Sequence, residues 1–271
     1  MTIAAAYLLS EGVVFGTDSS STISSPAPDG SPQVLQVLSH CQKLFEIGQG
    51  SRLGACTWGA GCIGEHSHRR IFALLADRLP PEATVADASN LLVEIARPLV
   101  AQAGTDYVGY YLGGWDRSDR RPSCYKIEFN RGTVTSRPLQ IGVCSFSGAP
   151  VFFSRVFHGC DPELKSRLLG RLIEEIPEER KTDFTEKFNR SFDELTGQMA
   201  AIGFPDLSIR EAIDFIHSYL HITIKAFKFK FGAPICGGPI EIGFVSVDRP
   251  LRWAFHKPFN SAVKEYAGEL A

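Results

Sequence analysis

The chain has 271 residues, 44% of them hydrophobic, and its 28 basic and 30 acidic side chains leave a net charge of −2. That suffices for one large domain or two small ones, and the balance excludes both a basic nucleic-acid-binding field and an acidic disordered arm. The seven cysteines are scattered without a C-x-x-C pair, so neither a zinc knuckle nor a disulfide framework is implied. With no signal peptide and no apolar run of bilayer length, the expectation is a soluble chain in a reducing cytoplasm, without membrane or nucleic-acid partners.

The expectation is that the first element starts with the chain itself, without a lead-in arm, signal or linker. Apolar runs at 3–9 and 13–15 flank Ser10-Glu11-Gly12, which reads as a tight β-hairpin. Met1 precedes a small residue, so its removal would leave Thr2 with a β-hydroxyl and a free α-amine. An α-amine titrates at about 7.7–8.0 and can accept a proton near pH 7. A threonine hydroxyl beside its own terminal amine is a nucleophile–base pair. On those two residues alone, an ordinary chain start is the better explanation of Met-Thr. Residues 19–29, rich in Ser and Pro and ending in Asp29-Gly30, read as a loop. Short strands follow at 44–47 and 53–58. Asp18 ends one strand and Lys43 begins another, so both can sit at the sheet end that carries Thr2.

Apolar spacing predicts helices over 66–79, stopped by Pro80-Pro81, and over 85–103. His66 and His68, two apart, fit no metal spacing and read as surface histidines. Strands are expected at 107–115, 124–129, 133–136 and 141–145. From 158 to 205 the chain becomes strongly charged. Asp161-Pro162 is a helix start, and Phe184, Phe188, Phe192, Leu195 and Met199 form one apolar stripe. This segment reads as a helical hairpin that either lies on the domain or meets a neighbouring subunit. Ser208 and Glu211 form a capping box for a helix to about residue 226. Strands at 240–247 and 251–255 close the chain, with a short helix or loose tail from Lys257. The order fits helices on both faces of a two-sheet sandwich better than alternating βαβ units.

Five segments, in order, resemble the proteasome β-subunit and HslV-type threonine protease family. They are Thr2 with the hairpin ending G-V-V-F-G-T-D-S, then Lys43-Leu44-Phe45-Glu46-Ile47, and Leu53-Gly54 through Gly59-Ala60. The last two are the turns Ser145-Phe146-Ser147-Gly148 and Ile235-Cys236-Gly237-Gly238. The chain resembles a divergent bacterial-type member of the catalytic kind. The resemblance implies an α+β, four-layer αββα sandwich of the N-terminal nucleophile hydrolase fold, with residues 1–271 forming one domain and a helical insertion at about 158–205.

By the same resemblance, Thr2 is the nucleophile with its amine as base. Lys43 stabilises developing negative charge, Asp18 holds Lys43, and Ser147 positions the amine. A partly exposed salt bridge is the plain alternative for Asp18 and Lys43. The oxyanion hole falls at a backbone N–H near Trp58 and Gly59, where the family has small residues. Ser21, Cys41, Phe45, Cys56 and Ala60 would line a pocket for an uncharged side chain. Cys236 stands where the family has a supporting serine, and Ala233 where it has an aspartate, so reduced activity is an expectation. No metal or cofactor is implied. The implied partners are a homo-oligomeric ring and a peptide or unfolded-protein substrate, with the peptidase either ATPase-assisted or free-standing. The alternatives are a proteasome-fold subunit without catalysis and an amidase acting on a small molecule.

Overall fold

The computed structural model describes residues 2–26, 32–48, 50–116, 118–149, 151–157, 162–199, 207–231 and 235–257. The strands are β1 (Ala4–Leu9), β2 (Gly12–Thr17), β3 (Ser21–Pro26), β4 (Pro32–Leu38), β5 (Leu44–Glu46), β6 (Leu53–Gly59), β7 (Cys62–Ile63) and β8 (His66–Ser67). They continue with β9 (Tyr107–Asp116), β10 (Arg121–Asn130), β11 (Thr133–Pro138), β12 (Val143–Ser147), β13 (Glu241–Ser246) and β14 (Arg249–Phe255). The helices are α1 (His68–Arg78), α2 (Val85–Ala103), α3 (Val151–Phe157), α4 (Pro162–Glu174), α5 (Lys181–Met199) and α6 (Ile209–Phe229). The result is a mixed α+β fold with two five-stranded antiparallel sheets, ordered β12-β1-β2-β13-β14 and β11-β10-β9-β6-β5. Among the described residues no helix is long and apolar enough to cross a membrane.

The hairpin β1–β2 sits at the centre of the first sheet, and every residue of both strands is buried. Burial on two faces explains why its sequence is nearly continuously apolar rather than alternating. One face, with Ala5, Tyr7 and Leu9, packs under Ile216 and Leu220 of α6. The other, with Ala4, Ala6, Val13 and Phe15, meets Leu44, Cys56, Trp58 and Tyr111 of the second sheet. The second sheet's far face carries α1 and α2 through Ile71, Leu75, Leu92 and Ile95.

Helix ends follow local chemistry. Ser67 caps α1, Thr84 and Asp87 form a capping box on α2, and Ser208 and Glu211 form the one expected on α6. Residues 162–199 supply α4 and α5. The α5 stripe stacks along its own helix, with Phe184–Phe188 and Phe188–Phe192 ring centroids 6.3 and 5.7 Å apart.

Several expectations need correction. The segment from Ser21 is a strand rather than a loop, because Thr22 and Ile23 pair with Val37 and Gln36 of β4 in a two-stranded ribbon. His68 is buried, 4% exposed. Helix α3 was not foreseen. The Asp29-Gly30 turn, His158, Asp161, residues 201–205, Ala233 and the tail beyond Lys257 lie outside the described residues.

One close approach is set by a glycine. A Cβ on Gly109 of β9 would collide with the indole of Trp58. Gly109→Ala is therefore expected to destabilise the chain by about 1–3 kcal/mol. In urea unfolding, adding Trp58→Leu should recover part of the loss, since the two positions share one contact.

Candidate active site

The buried carboxylate of Asp18, 0% exposed, organises one end of the first sheet. Its Oδ1 accepts from the Ile3 amide at 3.0 Å and the Lys43 ammonium at 2.6 Å. Its Oδ2 accepts from the Ser20 amide at 3.2 Å and the Gly237 amide at 3.0 Å. The Asp18 amide in turn donates to the Ile3 carbonyl at 3.3 Å. Four donors satisfy a charge that would otherwise be costly to bury.

The antiparallel ladder sets this geometry. Pairing of Ala4 with Thr17 brings Thr2 and Asp18 to the same sheet end. Lys43 precedes edge strand β5, and its carbonyl accepts from the Thr57 amide of β6 at 2.9 Å. The turn at Gly237-Gly238 closes the third side. The Ser19 amide donates to the Gly237 carbonyl at 3.0 Å, and Gly238 holds a φ of +72° close against the Ser39 carbonyl. Gly148, at φ +89°, packs directly on the Thr2 carbonyl, where any Cβ would collide.

Thr2 and Lys43 line one cleft of about 100 Å³ together with Ser21, Cys41, Trp58, Gly59 and Ala60. Thr22, Gln42, Thr57 and His68 also face it, and the sequence reading assigned none of them to the site. A larger groove of about 990 Å³ adjoins it at Gln42 and takes in Phe45, Arg69 and Lys257. The smaller cleft is the better candidate, because Thr2 and Lys43 both line it.

The remaining assigned residues fall around this cleft. Phe45 is buried against Phe72, with ring centroids 5.0 Å apart, and borders the larger groove. Cys56 points between the sheets, where burial first and the neighbouring Cys124 second push its thiol well above the usual range. The Trp58 indole also lies in the inter-sheet layer, donating to the Tyr107 hydroxyl at 2.7 Å. Cys236 is buried on the α6 side, and burial, reinforced by the Asp18 charge, pushes its thiol up to about 12. Ser147 is buried on β12, its hydroxyl 2.7 Å from that of Tyr111.

Two features went unseen in the sequence. The His68 Nε2 lies 2.8 Å from the Ala60 carbonyl, which can only accept, so that nitrogen carries the proton and Nδ1 accepts from the Tyr110 hydroxyl at 3.1 Å. Burial lowers the His68 pKa, with the Ala60 hydrogen bond opposing. Behind the cleft, the Lys257 Nζ donates to Ser19 Oγ at 3.1 Å, Cys41 O at 2.8 Å and the buried Glu241 Oε2 at 2.9 Å. No local motif announces either. Among the described residues no three His, Cys, Asp or Glu side chains gather as a metal site requires.

Two antiparallel sheets face each other across a shared apolar layer, with Thr2 buried beside a carboxylate–ammonium pair, and the same fold occurs among solved structures. Solved Anbu proteins share it. The helical assembly of the Anbu complex from Pseudomonas aeruginosa is 16% identical at a TM-score of 0.55, covering 99% of this chain and 93% of that one. An Anbu (Gly-1) mutant from Hyphomicrobium sp. strain MC1 is 12% identical at 0.57, covering 100% and 93%. Anbu, an ancestral β-subunit, from Yersinia bercovieri is 15% identical at 0.50, covering 98% and 93%. No family model matches the chain, and no curated protein matches it.

These neighbours overturn the resemblance to the proteasome β-subunit and HslV-type family. They are proteasome-like but belong to the distinct Anbu group, and nothing supports an HslV-type assignment.

The pair makes stability depend on charge. Asp18→Asn would turn an amide NH₂ or a weaker acceptor toward donors and leave Lys43 uncompensated, so a loss of about 3–5 kcal/mol in urea unfolding is expected. His68 makes it depend on pH. Its folded pKa is depressed, so its contribution is full above the unfolded value of about 6.5 and is lost as pH falls through the folded value below that. Urea midpoints from pH 8 down to 4.5 should fall less steeply in His68→Gln.

Proposed function

We propose that this chain is an N-terminal nucleophile hydrolase with a four-layer αββα architecture, a threonine peptidase whose nucleophile Thr2 is freed by removal of Met1. The observation that carries the reading is the Asp18–Lys43 pair, 2.6 Å apart and almost fully buried, whose Lys43 lines the same cleft as Thr2. A buried ammonium held by a carboxylate beside a hydroxyl favours the anion that forms during attack.

In this reading the Thr2 hydroxyl oxygen attacks the substrate carbonyl carbon and its proton passes to the α-amine. A backbone N–H near Trp58 and Gly59 stabilises the oxyanion. Collapse breaks the C–N bond and the amine delivers the proton to the leaving nitrogen, which leaves an ester on Thr2. Water then attacks the ester, and the carboxylic acid departs with the hydroxyl regenerated. Lys43 lowers the energy of the anionic states, Asp18 fixes Lys43, and Ser147 positions the amine. Ser21, Cys41 and Ala60 are small and uncharged, which suits an uncharged substrate side chain. The substrate is a peptide or unfolded polypeptide. The chain works as a homo-oligomer, ATPase-assisted or free-standing, in keeping with the helical assembly of the Pseudomonas aeruginosa Anbu complex.

The small volume of the cleft, about 100 Å³, also favours a second reading, an amidase acting on a small molecule. Intact mass of the purified protein should show Thr2 as the first residue. Thr2→Ala should lower hydrolysis of short uncharged peptides by at least about 10³-fold with the fold retained. A parent protein that spares peptides and cleaves small amides selects the second reading. Full activity in Thr2→Ala removes both.

A further inference from the structure

Tyr111 of β9 stands in the inter-sheet layer, 0% exposed, and reaches across to the first sheet. Its hydroxyl lies 2.7 Å from Ser147 Oγ and 2.8 Å from Ser145 Oγ. Both serines belong to β12, opposite Ala4 and Ala6 of β1. Ala4 and Ala6 face the inter-sheet layer, so the strand alternation carries Thr2 onto that face, and Ser147 becomes its diagonal cross-strand neighbour. The Tyr111 ring also packs on Trp58, with centroids 4.6 Å apart. One side chain thus braces both the wall assigned to the oxyanion and the serine assigned to the amine.

We propose that Tyr111, with Ser145, is a positioning residue that fixes the rotamer and hydrogen-bond direction of Ser147 toward the Thr2 amine. This rests on the Thr2 reading above. A phenol has one proton and is a stronger donor and weaker acceptor than an aliphatic hydroxyl. Placed between two serines, it donates to one and accepts from the other. With Ser145 donating to Tyr111 and Tyr111 donating to Ser147, the second lone pair of Ser147 Oγ is left to accept an N–H of the terminal amine, whose own lone pair stays free for the Thr2 proton. Burial holds the phenol well above its usual titration range, opposed by the bonds to Ser145 and Ser147, so the donor persists through the working pH. The arrangement needs the alanines: larger side chains at residues 4 and 6 would fill the space the phenol crosses.

The test follows Thr2 itself as well as turnover. The probe is a peptide epoxyketone, which is captured by a hydroxyl and an amine on adjacent carbons, with its attachment at Thr2 read by mass spectrometry. Tyr111→Phe should slow both labelling and kcat about tenfold with KM unchanged, and should move the ascending limb of the pH–rate profile. Ser147→Ala should match it, and the double variant should be no slower than either alone. If Tyr111→Phe does not fold, Ser145→Ala, which removes only the outer donor, should slow labelling in the same direction. Parent-rate labelling in the folded variants, or additive losses in the double variant, overturns the proposal while the Thr2 reading stands. A parent protein that neither labels at Thr2 nor turns over peptide overturns both.

Discussion

A single buried negative charge ties this molecule together. Asp18 gathers donors from the start of the chain, from its own turn, from the segment before β5 and from the glycine turn after α6. Burying a carboxylate and an ammonium is costly, and the cost is met only when geometry and extra hydrogen bonds are good. Here each carboxylate oxygen has two donors, and one of them is a full positive charge. The pair is therefore weak evidence for stability as such and good evidence for a defined arrangement. It fixes where the first hairpin ends, and so where Thr2 stands.

The space between the sheets is shaped for the same purpose. Small residues on one strand face large ones across the layer: Ala4 and Ala6 opposite Trp58 and Tyr111, and Gly109 beneath the indole. The pairing lets two aromatic rings with polar ends cross an apolar layer while each end finds a partner, Tyr107 for the indole and two serines for the phenol. The cleft rim is thus supported from below by packing and from behind by Lys257, which holds Ser19 and the Cys41 carbonyl.

Much of this was legible in the chain. The hairpin with apolar runs at 3–9 and 13–15, the helices expected at 66–79 and 85–103 and the capping box at Ser208 followed from apolar periodicity, a Pro-Pro stop and cap chemistry, which are local signals. That Thr2, Asp18 and Lys43 would share a sheet end followed from strand order. What escaped was set by contacts distant in sequence. Ser21–Pro26 looked like a loop until paired with β4. Cys56 was counted toward the cleft, yet the phase of the pleat on β6 turns it between the sheets, and a count along the chain cannot fix that phase. His68 resembled a surface residue because its partners, Ala60 and Tyr110, lie in other elements. The family assignment failed because the order and spacing of short motifs do not separate groups that share a fold.

The donor that completes Asp18 comes from a residue 219 positions along the chain. A site closed by so distant a neighbour cannot assemble on a growing or half-folded polypeptide, because nearly all of the chain must be present and in place first. The fourfold coordination of Asp18 is thereby withheld until folding is finished. The Gly237 turn makes completion of that corner a late event, set by topology.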